Sequence, residues 1–326
     1  MSFVTTRSMV VLSLSLCTVL PASAATTSAP VLQPSKLVIL STSDVKGKTA
    51  PCGCHVPKGG LSRRASYVDS VKASYGQVLL VDDGGFFPEE DNRREAAPFL
   101  MGAMKTLGTD AVNIGDRDLR FGRAYLEQFA QRAGLPVVSA NLLDKQTKKP
   151  VFSPYLIKRV GAVTVGIFGL ISDKGDLGPG KDSLAVEDPA TTARNTVAEL
   201  KHKGAQVIVL LSQLGKVEGE DLVAGVDGID AIVMGRNGTL LQRGRMVKDA
   251  IACYGGDQGH YVCRTEITLD DKHRKTGGQA EAVMLGPEIP DNKDVAAMVK
   301  SFEDALSLKA KPASAEAATP TTPAGN

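Results

Sequence analysis

The chain has 326 residues, enough for one large or two modest domains, and 43% hydrophobic with 23% charged residues supply a folded core. Thirty-eight Lys and Arg against 36 Asp and Glu leave a net charge of +2, which provides no basic field for a nucleic acid. Trp is absent and aromatics are only 5%, which disfavours recognition by stacking on bases or sugars.

The N-terminus carries Arg7, an apolar run from Met9 to Leu20, and the small residues Ala22, Ser23 and Ala24. This is the pattern of a secretory signal peptide over residues 1–24, with an apolar run too short to span a bilayer. Leu16 precedes Cys17 where a lipidation site wants a small residue. The expected location is the periplasm or the medium, with no transmembrane helix left after cleavage. Residues 25–35 form a polar lead.

Residues 36–41 then read as a buried strand, followed by a Gly/Pro-rich loop to residue 60. Leu61, Ala65, Val68 and Val71 share one face of a helix over 61–74. Strands follow at 78–81, 111–114 and 136–139, alternating with helices at 95–107 and 122–133. Later come strands at 155–160, 163–170, 207–211 and 229–234, with helices at 189–203 and from 220. Residues 250–253 and 261–269 suggest antiparallel strands. Strand–helix alternation predicts an α/β layered fold with antiparallel edges. A helix is expected over 291–308 and a flexible Ala/Pro/Thr/Ser-rich tail over 309–326.

Of the five cysteines, Cys17 belongs to the signal. Cys253 and Cys263 flank a Gly-Gly-Asp-Gln-Gly turn, and the spacing predicts a disulfide between them in an oxidising compartment. Cys52 and Cys54 are separated only by Gly53, so a bond between them would close a small strained ring. Free thiols, redox chemistry, and a soft-metal site shared with His55 all remain open there.

Several motifs, in order, resemble the metallophosphatase domain of the periplasmic 5'-nucleotidase family, among the calcineurin-like phosphoesterases. They are Thr42-Ser43-Asp44-Val45-Lys46-Gly47, Gly59-Gly60-Leu61-Ser62-Arg63, Val81-Asp82-Asp83-Gly84-Gly85, and Gly115-Asp116-Arg117-Asp118. Ser139-Ala140-Asn141, Ser212-Gln213-Leu214-Gly215 and Gly235-Arg236-Asn237-Gly238 continue the series, which runs from about Lys36 to Leu269. Pro51-Cys52-Gly53-Cys54 is similar to a stretch in one subgroup. The resemblance implies a four-layer α/β/β/α sandwich over residues 36–290, with its site in the loops after the strands.

Such enzymes hold two divalent metals on Asp, Asn and His side chains. In this sequence Asp44 is kept, but Lys46, Gly85, Asp116, Arg117, Gln213, Arg236 and Gly238 stand at the other expected positions. Arginine and lysine offer only donors and positive charge, so they cannot replace imidazole. The expectation is therefore a vestigial site with no metal, no cofactor and no catalytic residue, its Asp44 and Asp116 paired with Lys46, Arg117 or Arg236. The chain would then be a non-catalytic scaffold, or pseudoenzyme, engaging a protein partner in the periplasm or on the exposed face of a membrane complex. One alternative is a metal-dependent phosphoesterase, a phosphoric-ester hydrolase, rebuilt around Asp44, Asp82, Asp83, Asp116 and Asp118. Another is a thiol or metal-binding protein using Cys52 and Cys54.

Overall fold

The computed structural model describes residues 1–3 and 35–310. Residues 4–24 of the segment read as a signal, nearly all of the polar lead, and the tail from residue 311 lie outside the described residues.

The first strand, β1 (Ser35–Thr42), shows how the layers arise. Its side chains alternate between faces, as the period of two requires. Leu37 and Ile39 join one apolar cluster, while Val38 and Leu40 join another. A strand buried on both faces must sit inside a multilayer fold. Helix α1 (Leu61–Tyr75) follows, then β2 (Val78–Asp82), α2 (Ala96–Thr106), β3 (Ala111–Val112) and α3 (Arg123–Ala133). β1, β2 and β3 run parallel.

The next elements are β4 (Leu142–Asp144), β5 (Tyr155–Val160), β6 (Val163–Ile171), β7 (Leu184–Val186), α4 (Pro189–His202) and β8 (Val207–Gln213). They lead into α5 (Lys216–Gly225), β9 (Ala231–Met234), β10 (Leu240–Val247), β11 (Ala250–Gly255), β12 (Tyr261–Leu269), β13 (Lys275–Met284) and α6 (Lys293–Ala310). The large sheet has the order β3-β2-β1-β12-β13-β10-β11-β9-β8-β6-β5. At its middle, β13 and β10 are joined through the Arg243–Glu281 pair, and there the sheet turns over on itself. Leu79, Val81 and Ile267 from one half pack with Val209, Val233 and Ile251 from the other. Outside the first half, Val38, Leu80 and Val112 meet α1, α2, α3 and α6. Outside the second, Phe168, Leu210 and Ile232 meet Val197 and Leu200 of α4 and Leu222 of α5. The architecture is a mixed α/β sandwich, helices outside and folded sheet inside.

Three readings of the sequence change. Residues 136–139 form no named strand; Val137 and Val138 make only isolated bridges. β11 and β12 are not neighbours: β12 pairs with β1 and β13, and β11 with β9 and β10. The Cys253–Cys263 disulfide, with Cα atoms 6.2 Å apart, therefore ties the two halves of the folded sheet across their shared core rather than joining adjacent strands. β10 and β13 went unread because each mixes polar, apolar and glycine residues, and each has at most one fully buried position. Helix α6 packs on the domain through Val295 and Val299, the Phe99–Phe302 stack at 4.0 Å, and an Arg93–Glu303 ion pair at 2.7 Å.

Candidate functional site

In open α/β sheets the loops after the carboxyl ends of parallel strands form the natural cleft. Five such ends converge here, contributed by β1, β2, β3, β8 and β9. After β1 the chain turns through the left-handed region at Asp44 (φ 50°) and Lys46 (φ 53°). Backbone bonds from Asp44 N–H to Gly84 O (2.8 Å) and from Lys46 N–H to Gly85 O (3.1 Å) fasten this turn to the loop after β2. Asp118 fastens that loop in turn. Its carboxylate accepts from the N–H groups of Gly85 (2.6 Å), Phe86 (2.9 Å), Phe87 (3.0 Å) and Gly115 (2.8 Å).

This resolves the acids. Asp82 accepts from Thr42 and pairs with fully buried Arg64 at 3.4 Å. Asp82 and Asp118 thus spend their carboxylates on fastening the loops of the cleft. Asp44, Asp83 and Asp116 remain at the cleft. Asp44 is buried, with Gln213 Nε2 at 3.5 Å as its side-chain donor and a further bond from the Arg236 backbone. Burial raises its carboxyl to about 6, against the opposing pull of Gln213, Lys46, Arg236 and Arg117. Asp83 is fully buried and pushed well above its ordinary value by burial and by the charge of Asp44.

The cations take different partners from those expected. Arg236 reaches Asp116 at 3.5 Å, as anticipated. Lys46 bonds Asp257 at 2.7 Å and lies 3.8 Å from Glu89, while Arg117 reaches Glu89 at 3.2 Å. Asp44 makes no ion pair, because the left-handed turn directs its side chain inward and that of Lys46 toward the 257–259 turn. Sequence reasoning missed Glu89 and Asp257. A signal existed: three cations against Asp44 and Asp116 leave an excess positive charge, which a half-buried site must balance. Gly238 lies apart, against Asp257, while Gln213 is buried beside Gly115 and Gly235.

The fit to a pair of divalent cations can be tested on this geometry. Asp44 Oδ2 and Asp83 Oδ2 are buried without hydrogen-bond partners. Among the described residues they are the carboxylates at the centre, and burial raises both above their ordinary value. At Gly85 (φ 71°), a Cβ would overlap the Asp44 carboxylate, and at Gly235 it would overlap Asp83 and Gln213. The space a bridging carboxylate would need is closed by Asp44 itself. Among the described residues, no group of three His, Cys, Asp or Glu is placed to hold a metal ion. These residues do not fit a dinuclear metal centre.

The thiols lie elsewhere. Cys52 and Cys54 are free, Cys52 half-buried and Cys54 exposed, beside an exposed His55. Among the described residues, no helix is long and apolar enough to cross a membrane.

Comparison with known proteins follows the same lines. No protein-family model matches the sequence. A snake venom 5'-nucleotidase from Gloydius brevicauda is 27% identical over 317 residues, covering 82% of this chain and 51% of the relative. A 2',3'-cyclic-nucleotide 2'-phosphodiesterase/3'-nucleotidase from Yersinia enterocolitica is 32% identical over 212 residues, covering 55% and 32%. Among solved structures, a 5'-nucleotidase precursor from Thermus thermophilus superposes with a TM-score of 0.73 at 25% identity, covering 85% of this chain and 60% of that one. The calcineurin-like phosphoesterase YfkN from Bacillus subtilis shares the fold, with a TM-score of 0.73 at 19% identity, covering 86% of this chain and 100% of that one. The chain spans about half the length of the venom relative, and less of the Yersinia one. One expectation is overturned here. The lost ligands argued against an enzyme, but the homologues are enzymes named for hydrolysing phosphoric esters.

Proposed function

We propose that this chain, whose homologues are 5'-nucleotidases and calcineurin-like phosphoesterases, binds and hydrolyses a phosphoric ester through its own cations instead of a metal pair. The observation that carries this reading is the convergence of Lys46, Arg117 and Arg236 from three separate loops on one cleft. Phosphoryl transfer asks chiefly for positioning and for neutralising charge on the phosphoryl oxygens. Guanidinium groups do both with paired, directional donors. An incoming phosphate would exchange with Glu89 and Asp116 as the acceptor for Arg117 and Arg236. Asp44, with its carboxyl near 6, has the protonation range suited to moving a proton at neutral pH. Export belongs to the same proposal, supported by a relative named from venom and by a buried disulfide.

The test is binding of AMP by calorimetry and hydrolysis of AMP and bis(p-nitrophenyl) phosphate, both in excess EDTA. The expected result is turnover that survives the chelator and affinity at least tenfold weaker in Arg117→Ala and Arg236→Ala, about 1.4 kcal/mol each. Absence of AMP binding, or hydrolysis that requires added Mn²⁺ and ignores both substitutions, would overturn the reading.

A further inference from the structure

The segment from Cys52 to Lys58 is a loop closed at its base. Cys52 N–H donates to Lys58 O at 2.9 Å, and Lys58 N–H donates to Cys52 Sγ at 3.4 Å. The next residue is anchored to the fold by Gly59 N–H to Leu285 O at 2.9 Å. Cys54 sits on the exposed part of the loop, one residue beyond Gly53 from Cys52. The neighbouring Cys54 thiol first, and the Lys58 N–H second, hold the Cys52 thiol below its ordinary value, while the proximity of Cys52 raises Cys54. The Cys52 sulfur thus accepts a backbone N–H that favours its thiolate, and a second thiol stands two positions along the same loop. Gly53, in the bend between them, has open space on the side where a Cβ would lie.

Cys52 also lines the rim of a cavity of about 570 Å³, whose walls include Lys48, Arg93, Gln258, His260 and Glu303. The cavity is large enough for a peptide-sized compound. A metal reading lacks support, since no third His, Cys, Asp or Glu joins the two sulfurs among the described residues. The other cysteine pair is a buried disulfide in the core, remote in role from this exposed loop.

We propose that Cys52 and Cys54 are a redox-active dithiol that exchanges with the disulfide of a thiol compound or peptide docked in the adjoining cavity. The Cys52 thiolate attacks one sulfur of the partner's disulfide, whose S–S bond breaks, and the other partner sulfur leaves as a thiolate. Cys54 then attacks Cys52 Sγ, displacing the partner's remaining sulfur and forming the Cys52–Cys54 bond. Two electrons pass from the dithiol to the partner, and the two thiol protons finish on the partner's sulfurs. The reaction is reversible. Because the closed ring is small and strained, its oxidised form readily passes the disulfide back to a partner dithiol.

The experiment uses the full chain after mild reduction that spares the buried Cys253–Cys263 bond. It is exposed at pH 7 to glutathione disulfide or to insulin, then acid-quenched, labelled with a maleimide and weighed. The expected result is loss of both free thiols in the wild type. Cys54→Ser should accumulate a mixed disulfide at Cys52, and Cys52→Ser should react at least tenfold more slowly at Cys54. Exchange with insulin as well as glutathione assigns a protein partner, and exchange with glutathione alone a small thiol. If the wild type keeps both thiols with either probe, the proposal is overturned. Stoichiometric zinc retained by the wild type and lost in both variants would overturn it in favour of a metal site. Both cysteines lie on an accessible loop, so unchanged melting of the variants is the accompanying control.

Discussion

Asp44→Asn isolates the most unusual electrostatic feature of the cleft. Asp44 is 4% exposed and meets no cation directly, so its charge is only partly compensated. Its carboxyl rises from 3.8 to about 6, chiefly through burial. For an acid whose value is raised on folding, the folded state keeps a proton that the unfolded chain has already released. Stability must then fall as pH rises from about 4 to about 6, and stay at the lower level above that window. A shift of about two units corresponds to roughly 3 kcal/mol at 1.36 kcal/mol per unit. Asparagine keeps an acceptor oxygen for Gln213 and the Arg236 backbone but carries no charge. It also relieves Asp83, which the Asp44 charge pushes upward. Urea unfolding followed by circular dichroism at pH 4, 5, 6 and 8 measures both slope and offset. The variant should match the wild type near pH 4 and exceed it by up to about 3 kcal/mol at pH 8. An equal or lower stability of the variant at pH 8, with the same pH slope, would refute the argument. It would mean that Lys46, Arg117 and Arg236 fully compensate a buried carboxylate.

Two further outcomes follow from the packing. Gly85→Asp, which restores an acid where the family resemblance places one, should lower stability by more than about 2 kcal/mol, because a side chain there overlaps Asp44 and the backbone is left-handed; a urea midpoint unchanged from wild type would count against the closed-cleft account. Replacing Cys253 and Cys263 by Ala should cost about 3 kcal/mol for the ten-residue loop, measured by the same unfolding assay.

The sequence by itself determined the layered plan and the address of the site. Alternation in β1 and the one-sided apolar face of α1 follow from local geometry, which neighbouring residues encode directly. Motif order set Asp44, Gly85, Asp116, Arg117, Gln213 and Arg236 at strand ends, and the fold brings those ends together. What local pattern could not decide was partnership. Lys46 turns to Asp257, 211 residues away, because left-handed residues in the loop after β1 set a direction that composition does not reveal, and Arg117 pairs with Glu89 of another loop. The same holds for the disulfide, whose cysteines looked like members of adjacent strands until β13 and β10 were found between them. Those two strands mix polar, apolar and glycine residues with hardly a fully buried position, so hydrophobic periodicity was silent on them, and with them on where the sheet folds over. Ligation, ion pairing and sheet order depend on contacts between distant segments, and only the tertiary structure chose among the combinations the sequence allowed.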